Sequence, residues 1–240
     1  MIGIQLCHES KENTIYGNNI VNSDRGVYLD DASYNNIYWN IITDNQYGIY
    51  CYYSSHNNVY GENVIQDNQY GIYFYQSPYN DIYDGNVVAK NNKCGIYLHG
   101  SSNNDIHESN IENNGYGIKL NDSSVNDVYW NNIRYNGYGI YLQHSSNNNV
   151  YLNNIDENYQ VGIYIYFSSN SKVVYNNFIE NYVSACFKKS LFSFNSWKKN
   201  YWDDCNGTGF KKINGELEGF INLKNWFNFD FHPVKQPYEI

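Results

Sequence analysis

The sequence predicts an all-β chain: a right-handed, single-stranded parallel β-helix, or solenoid, of about nine coils of 22–24 residues with a C-terminal aromatic cap. Three observations carry this. The dipeptide Gly-Ile, once Gly-Val, begins at Gly3, Gly26, Gly48, Gly71, Gly95, Gly117, Gly139 and Gly162, in steps of 23, 22, 23, 24, 22, 22 and 23. Behind each Gly, apolar residues alternate with outward ones at the period of a strand. No segment shows the i, i+3, i+4 spacing of a helix, and Leu is too scarce for a leucine-rich repeat.

Each coil reads as three short strands. The first carries two apolar columns, Ile4, Val27, Ile49, Ile72, Ile96, Ile118, Ile140 and Ile163, then Leu6, Leu29, Cys51, Phe74, Leu98, Leu120, Leu142 and Ile165. The second strand carries Ile37, Val59, Ile82, Ile106, Val128, Val150 and Val173. The third carries Ile42, Val64, Val87, Ile111, Ile133, Ile155 and Phe178. Ser-Ser-Asn and Asn-rich corners separate them, and a degenerate ninth unit starts near Ser184. One coil cannot bury enough apolar surface to offset the entropy of ordering it, so coils must stack. Asn both donates and accepts, so an Asn column can bond from rung to rung. The expected column precedes the third apolar position: Asn19, Asn63, Asn86, Asn110, Asn132, Asn154, Asn177 and Asn200, broken by Ile41. Gly at the corner relieves either crowding or a positive φ. Right-handed coiling follows from the parallel crossovers.

Residues 1–202 are read as the repeats and 203–240 as the capping segment. There Trp197, Trp202, Trp226, Phe227, Phe229 and Phe231 are expected to cover the last coil, and Pro233 and Pro237 to stop strand growth. The N-terminal edge has no such segment, so further coils before Met1 or a partner are expected to cover it. No signal peptide is visible at the start.

The net charge of −9, with only 15 Lys and Arg, argues against a nucleic-acid partner. No apolar run reaches the length of a membrane span. The five Cys match no metal-site spacing, and their odd number leaves at least one unpaired.

The Gly-Ile-Tyr-Leu, Ser-Ser-x-Asn-x-Ile and Asn-Asn-Ile pattern resembles the β-helix repeats of the NosD-type family, within the broader set of carbohydrate-binding proteins and sugar hydrolases. The tail is similar to the closing segment of archaeal surface β-helix proteins. It matches at Asn200-Tyr201-Trp202-Asp203-Asp204, Asn228-Phe229-Asp230, His232-Pro233 and Pro237-Tyr238-Glu239-Ile240. It departs at Cys205, where Trp is usual, and at Phe210, where Pro is common. The resemblance implies an extracellular or cell-surface location. Its members range from polysaccharide lyases and hydrolases to copper-site accessory proteins and non-catalytic surface proteins, so it fixes the fold more than the activity.

Two outward Tyr columns stand out. Tyr28, Tyr50, Tyr73, Tyr97, Tyr141 and Tyr164 form one, broken by Lys119; as an aromatic strip they are the candidate carbohydrate-binding residues. Tyr16, Tyr38, Tyr60, Tyr83, Tyr129 and Tyr151 form the other, broken by His107. Stacking that only stabilises neighbouring rungs is the plainer role, and it is compatible with binding. An acidic patch, Asp81, Asp105 and Asp127 with Asp84 and Glu108, is the candidate metal site, with Ca²⁺ as its cofactor. Stacked rungs supply carboxylate pairs automatically, so pairs such as Asp30-Asp31 and Asp203-Asp204 are weak evidence of glycosidase chemistry. Lys119 lies near Glu108 and Glu112 in sequence, a grouping a lyase could use. No two of the six His share a column on adjacent rungs, and the single Met opens the chain, which disfavours a copper site. The expected role is a non-catalytic surface module that binds polysaccharide or cell-surface glycan, or acts as a spacer. A polysaccharide lyase or glycoside hydrolase is the first alternative, and a NosD-like copper-site accessory protein the second.

Overall fold

The computed structural model describes residues 1–190, 194–218 and 223–240. It contains strands and no helix among the described residues. Each coil has a six-residue strand and two shorter ones, as in Tyr138–Gln143, Asn149–Tyr151 and Asn154–Asp156. These define three faces, here called one, two and three. Successive strands of a face pair in parallel and in register: Ile96 lies beside Ile118, and Ile118 beside Ile140. All three are fully buried, as are Leu98, Leu120 and Leu142 in the next column. The columns read from the text are therefore columns in space.

The third apolar column needs one correction. Its inward members are Ile20, Ile42, Ile65, Val88, Ile111, Ile133, Ile155 and Phe178, so Val64 and Val87 point outward beside Ile41. Gly61 and Gly85 explain the slip. Each adds a residue with positive φ to the corner after face two and displaces the rest of its coil by one. The expected Asn column was for the same reason two columns merged. Asn40, Asn63, Asn86, Asn131, Asn153, Asn176 and Asn200 occupy the inward position, whereas Asn19, Asn110, Asn132, Asn154 and Asn177 belong to the outward position one residue later.

The buried column is one of three. A second ladder, Asn35, Asn57, Asn80, Asn104, Asn126 and Asn148, opens face two. A third, Asn45, Asn68, Asn91, Asn114, Asn136 and Asn158, precedes face one. The geometry repeats. Asn131 Oδ1 accepts the Ser109 backbone N–H at 3.2 Å, and its Nδ2 donates to Asn153 Oδ1 at 3.1 Å, Ile106 O at 2.8 Å and Tyr129 O at 2.9 Å. Carbonyls at the ends of the face-two strands are thus bonded by a buried side chain.

The Gly that opens each coil answers to crowding, not to φ. A Cβ at Gly117 would stand 2.6 Å from Gly139 O and 3.0 Å from Asn136 Nδ2, and none of the eight has a positive φ. The left-handed corner positions are filled mostly by non-Gly residues, Val125 among them at φ 60°.

At the C-terminus the core ends in Phe178 stacked on Trp202, with centroids 4.3 Å apart, and in Trp197. Lys211–Glu218 continues face one in parallel with Ala185–Ser190 and pairs antiparallel with Leu223–Asp230, which reaches face two through Trp197 and Asp230. Its inward residues are Ile213 and Leu217, while Trp226 and Phe231 are exposed, so the aromatic tail covers the coil less than its composition implies. Asp230 closes the Asn ladder. Fully buried, its carboxylate accepts from the backbone N–H groups of Lys199, Asn200 and His232, from Asn200 Nδ2 and from Trp202 Nε1. A ladder whose donors all point one way ends naturally on a residue that only accepts. Pro233 does not stop pairing: Val234 bridges Tyr201, and Tyr238 exchanges hydrogen bonds with Asn177 on face three.

Candidate functional site

Face one presents an aromatic sheet. Along the expected column the rings stack at 5.4 Å for Tyr28–Tyr50, 5.1 Å for Tyr50–Tyr73 and 4.8 Å for Tyr73–Tyr97, the last two nearly parallel. Tyr141 and Tyr164 follow at 5.2 Å with tilted rings. Burial among neighbouring phenols pushes the Tyr50, Tyr97 and Tyr141 hydroxyls up to about 12. Rings that stack on one another have few free faces, so a sugar lying flat needs a gap in the stack.

Two further columns flank this one. Tyr47, Tyr70, Tyr116 and Tyr138 stand on one side, with Tyr47–Tyr70 and Tyr116–Tyr138 stacked at 5.2 and 5.0 Å. Tyr52, Tyr75 and Tyr166 stand on the other. Strict alternation hides the first set, because counting back from inward Ile72 turns Tyr70 inward as well. The bend at Gly71 breaks the alternation and turns Tyr70 out against Tyr73, at 5.6 Å. The repeated Tyr-Gly was the available signal.

The gap lies where both columns are interrupted on adjacent coils. Cys94 replaces a Tyr between Tyr70 and Tyr116, and Lys119 replaces one between Tyr97 and Tyr141. The result is a notch of about 390 Å³ with buried Cys94 among its walls. Lys119 Nζ lies 5.1 Å from the Tyr116 centroid and 5.4 Å from those of Tyr97 and Tyr141; Lys93 Nζ lies 5.2 Å from that of Tyr70. Asn92 and Gln160 complete the rim, and no carboxylate lines it. Among the described residues neither lysine forms an ion pair. A larger cleft of about 430 Å³ sits beside the cap, but its Lys211 is already paired with Asp204.

On face two the second column is unbroken. His107 continues the stack, 5.3 Å from Tyr83 and 4.5 Å from Tyr129, so the rings run from Tyr16 to Tyr151. Beside it Asp81, Asp105 and Asp127 lie in register. Burial raises Asp81 and Asp105 above the ordinary carboxylate range, and for Asp105 the carboxylates above and below add to this. Asn149 Nδ2 donates to Asp127 Oδ1 at 2.7 Å. Asp84 and Glu108 sit apart in the corner, Glu108 Oε2 3.5 Å from His107 Nδ1.

Among the described residues no three His, Cys, Asp or Glu converge as a metal site. Asp81, Asp105 and Asp127 share a face, and Asp84 and Glu108 stand in the corner after it. The six His are dispersed: His56 stacks between Tyr34 and Tyr79, His144 stands by Tyr166, and His8 and His232 are exposed. All five Cys are free thiols, two of them fully or almost fully buried. These donors do not fit a soft copper site. Lys119 does not meet the acids near it in sequence, because Glu112 pairs with Arg134 on face three at 2.9 Å. Asp204 pairs with Lys211, and Asp203 accepts the Glu180 N–H.

Fold and surface define a parallel β-helix of the kind built from stacked polar ladders, with an aromatic outer face. The profile of the family described as periplasmic copper-binding protein (NosD) matches residues 2–87 and 52–207. The chain belongs to this NosD family of right-handed β-helix repeats. No curated protein matches it. Among solved structures, the periplasmic alginate epimerase AlgG is similar at 21% identity and a TM-score of 0.56, over 74% of this chain and 57% of that one. A double mutant of the same epimerase is similar at 19% identity and a TM-score of 0.59, over 90% and 70%. The A-module of the Azotobacter vinelandii mannuronan C-5 epimerase AlgE6 follows at 14% identity and a TM-score of 0.54, over 75% and 58%. At these identities the likeness is one of fold.

Proposed function

We propose that this chain is a non-catalytic, extracytoplasmic β-helix module that binds polysaccharide on face one, with residues 1–202 as the repeat and 203–240 as its cap. The observation that carries the reading is the interruption of the Tyr stack at Cys94 and Lys119, where the rings of Tyr70, Tyr97, Tyr116 and Tyr138 border an open notch. Sugar rings bind by laying their C–H face on an aromatic ring, and amides such as Asn92 and Gln160 bond their hydroxyls. Epimerases that modify a polysaccharide share the fold, which is consistent with a surface shaped to follow a glycan chain.

Affinity electrophoresis through gels containing neutral or acidic polysaccharides tests this. The parent protein is expected to be retarded, and the Tyr73→Ser/Tyr97→Ser double variant to run freely with an unchanged circular dichroism spectrum. Parallel assays for reducing ends and unsaturated products are expected to be blank. Free migration of the parent in every gel sinks the binding role, and product release replaces it with a polysaccharide-cleaving enzyme.

A further inference from the structure

We infer that the notch at Cys94 selects a carboxylate-bearing sugar, a uronate unit of an acidic polysaccharide; this rests on the glycan-binding reading of face one and names its ligand class. Charge supports it first. The chain carries a net charge of −9, with 15 Lys and Arg against 24 Asp and Glu, so a polyanion is repelled by most of the surface. Yet Lys93 and Lys119 both border this one opening, with no carboxylate in its lining and no ion-pair partner among the described residues. Lys119 is held instead by three ring faces, which position an ammonium group without neutralising it. The cation therefore keeps its capacity to pair with an incoming anion.

Shape supports it second. A volume of about 390 Å³ falls within the roughly 300–1,000 Å³ of small-ligand sites. The ring of Tyr116 offers an apolar wall beside the Lys119 ammonium, the combination a pyranose with a carboxylate on its ring requires. On the two coils before and the two coils after Cys94 this column is filled by Tyr47, Tyr70, Tyr116 and Tyr138. Cys94 is what leaves the space: its counterparts on the flanking coils are Tyr70 and Tyr116.

The test uses polygalacturonate, the same polymer fully methyl-esterified, dextran sulfate and a neutral glucan, each in affinity gels at low and moderate salt. Four proteins are compared: the parent, Lys119→Gln, Lys93→Gln/Lys119→Gln and Cys94→Tyr. The parent is expected to bind polygalacturonate about tenfold more tightly than the methyl ester. Lys119→Gln is expected to lose most of that preference and the double variant all of it, without change in thermal midpoint. Cys94→Tyr, which refills the column, is expected to abolish binding. Equal affinity for polygalacturonate and its ester, or full affinity in the double variant, overturns the inference while leaving glycan binding intact. Tighter binding of dextran sulfate than of polygalacturonate overturns the choice of carboxylate. A parent that binds none of the four polymers removes the parent reading as well.

Discussion

Ser109 occupies the place of an Asn in a buried ladder, and it makes the ladder's strength measurable. Its hydroxyl donates to His107 O at 3.0 Å, as Asn131 Nδ2 does to Tyr129 O one coil later. The other three hydrogen bonds of Asn131 have no counterpart at Ser109: the one accepted from the preceding N–H, the one donated to Ile106 O and the one donated to Asn153 Oδ1. Asn131→Ser should reproduce this break. At a net contribution of about 1 kcal/mol per buried hydrogen bond, the loss is about 3 kcal/mol. Ser109→Asn should do the reverse. The new amide can accept the Asn86 N–H and donate to Ile82 O and Asn131 Oδ1, a gain of about 2–3 kcal/mol less the entropy of fixing the side chain. Both positions are buried, so solvent cannot substitute. Urea unfolding followed by circular dichroism reads the two shifts, expected to be opposite in sign and similar in size. Shifts within about 0.5 kcal/mol of the parent for both variants would refute the view that side-chain ladders, not the apolar core alone, set coil stability.

Two other predictions concern corner strain and charge. Val125 is a β-branched residue at φ 60°, in a corner position where coils on either side use Asn103 and Asn147; Val125→Asn is expected to stabilise by about 1 kcal/mol in the same assay, and a loss of stability would contradict the strain. Asp105 holds its proton to a higher pH when folded, because it is partly desolvated and stands between like charges. Its contribution is therefore present at low pH and lost as pH rises through the folded value. Asp105→Asn should stabilise by about 0.5–1 kcal/mol at pH 7, with the gain disappearing below the ordinary carboxylate value of 3.8. A gain that persists at pH 3 would contradict this. Calorimetry with Ca²⁺ tests the cation role of Asp81, Asp84, Asp105, Glu108 and Asp127: heat in the parent that Asp105→Asn removes supports it, and no heat in either leaves protons and solvent as the relief.

Much of the fold was legible because Gly marks the same point of every coil. The reason for that Gly is steric: the next coil's carbonyl occupies the space where a Cβ would be, as at Gly117 beneath Gly139 O. Legibility failed wherever the count from that marker changed. Gly61 and Gly85 each lengthen a corner, so that outward Val64 and Val87 read as core residues and two Asn columns read as one. Alternation also fails across the Gly itself, which hid the column of Tyr47, Tyr70, Tyr116 and Tyr138 and with it half of the notch. Lys119 was visible as an interruption of one stack. What could not be read is that Cys94 interrupts the neighbouring stack beside it, because adjacency across two columns depends on how the corner turns. His107 was read as a break by its residue type, whereas a planar ring of similar size simply joins the stack.

Every column invoked here requires equivalent residues of successive coils to lie side by side. Paired cysteines on face three measure this directly, away from the notch. Thr43 lies beside Gln66 in register, whereas Val64 pairs with Ile41 two residues away. Strands about 4.8 Å apart bring in-register Cα atoms within disulfide range. Thr43→Cys/Gln66→Cys is expected to form an intramolecular disulfide rapidly under mild oxidation, and Thr43→Cys/Val64→Cys to stay reduced. Preferential bridging of the second pair would mean offset coils, and the ladders, the aromatic face and the notch would all lose their basis.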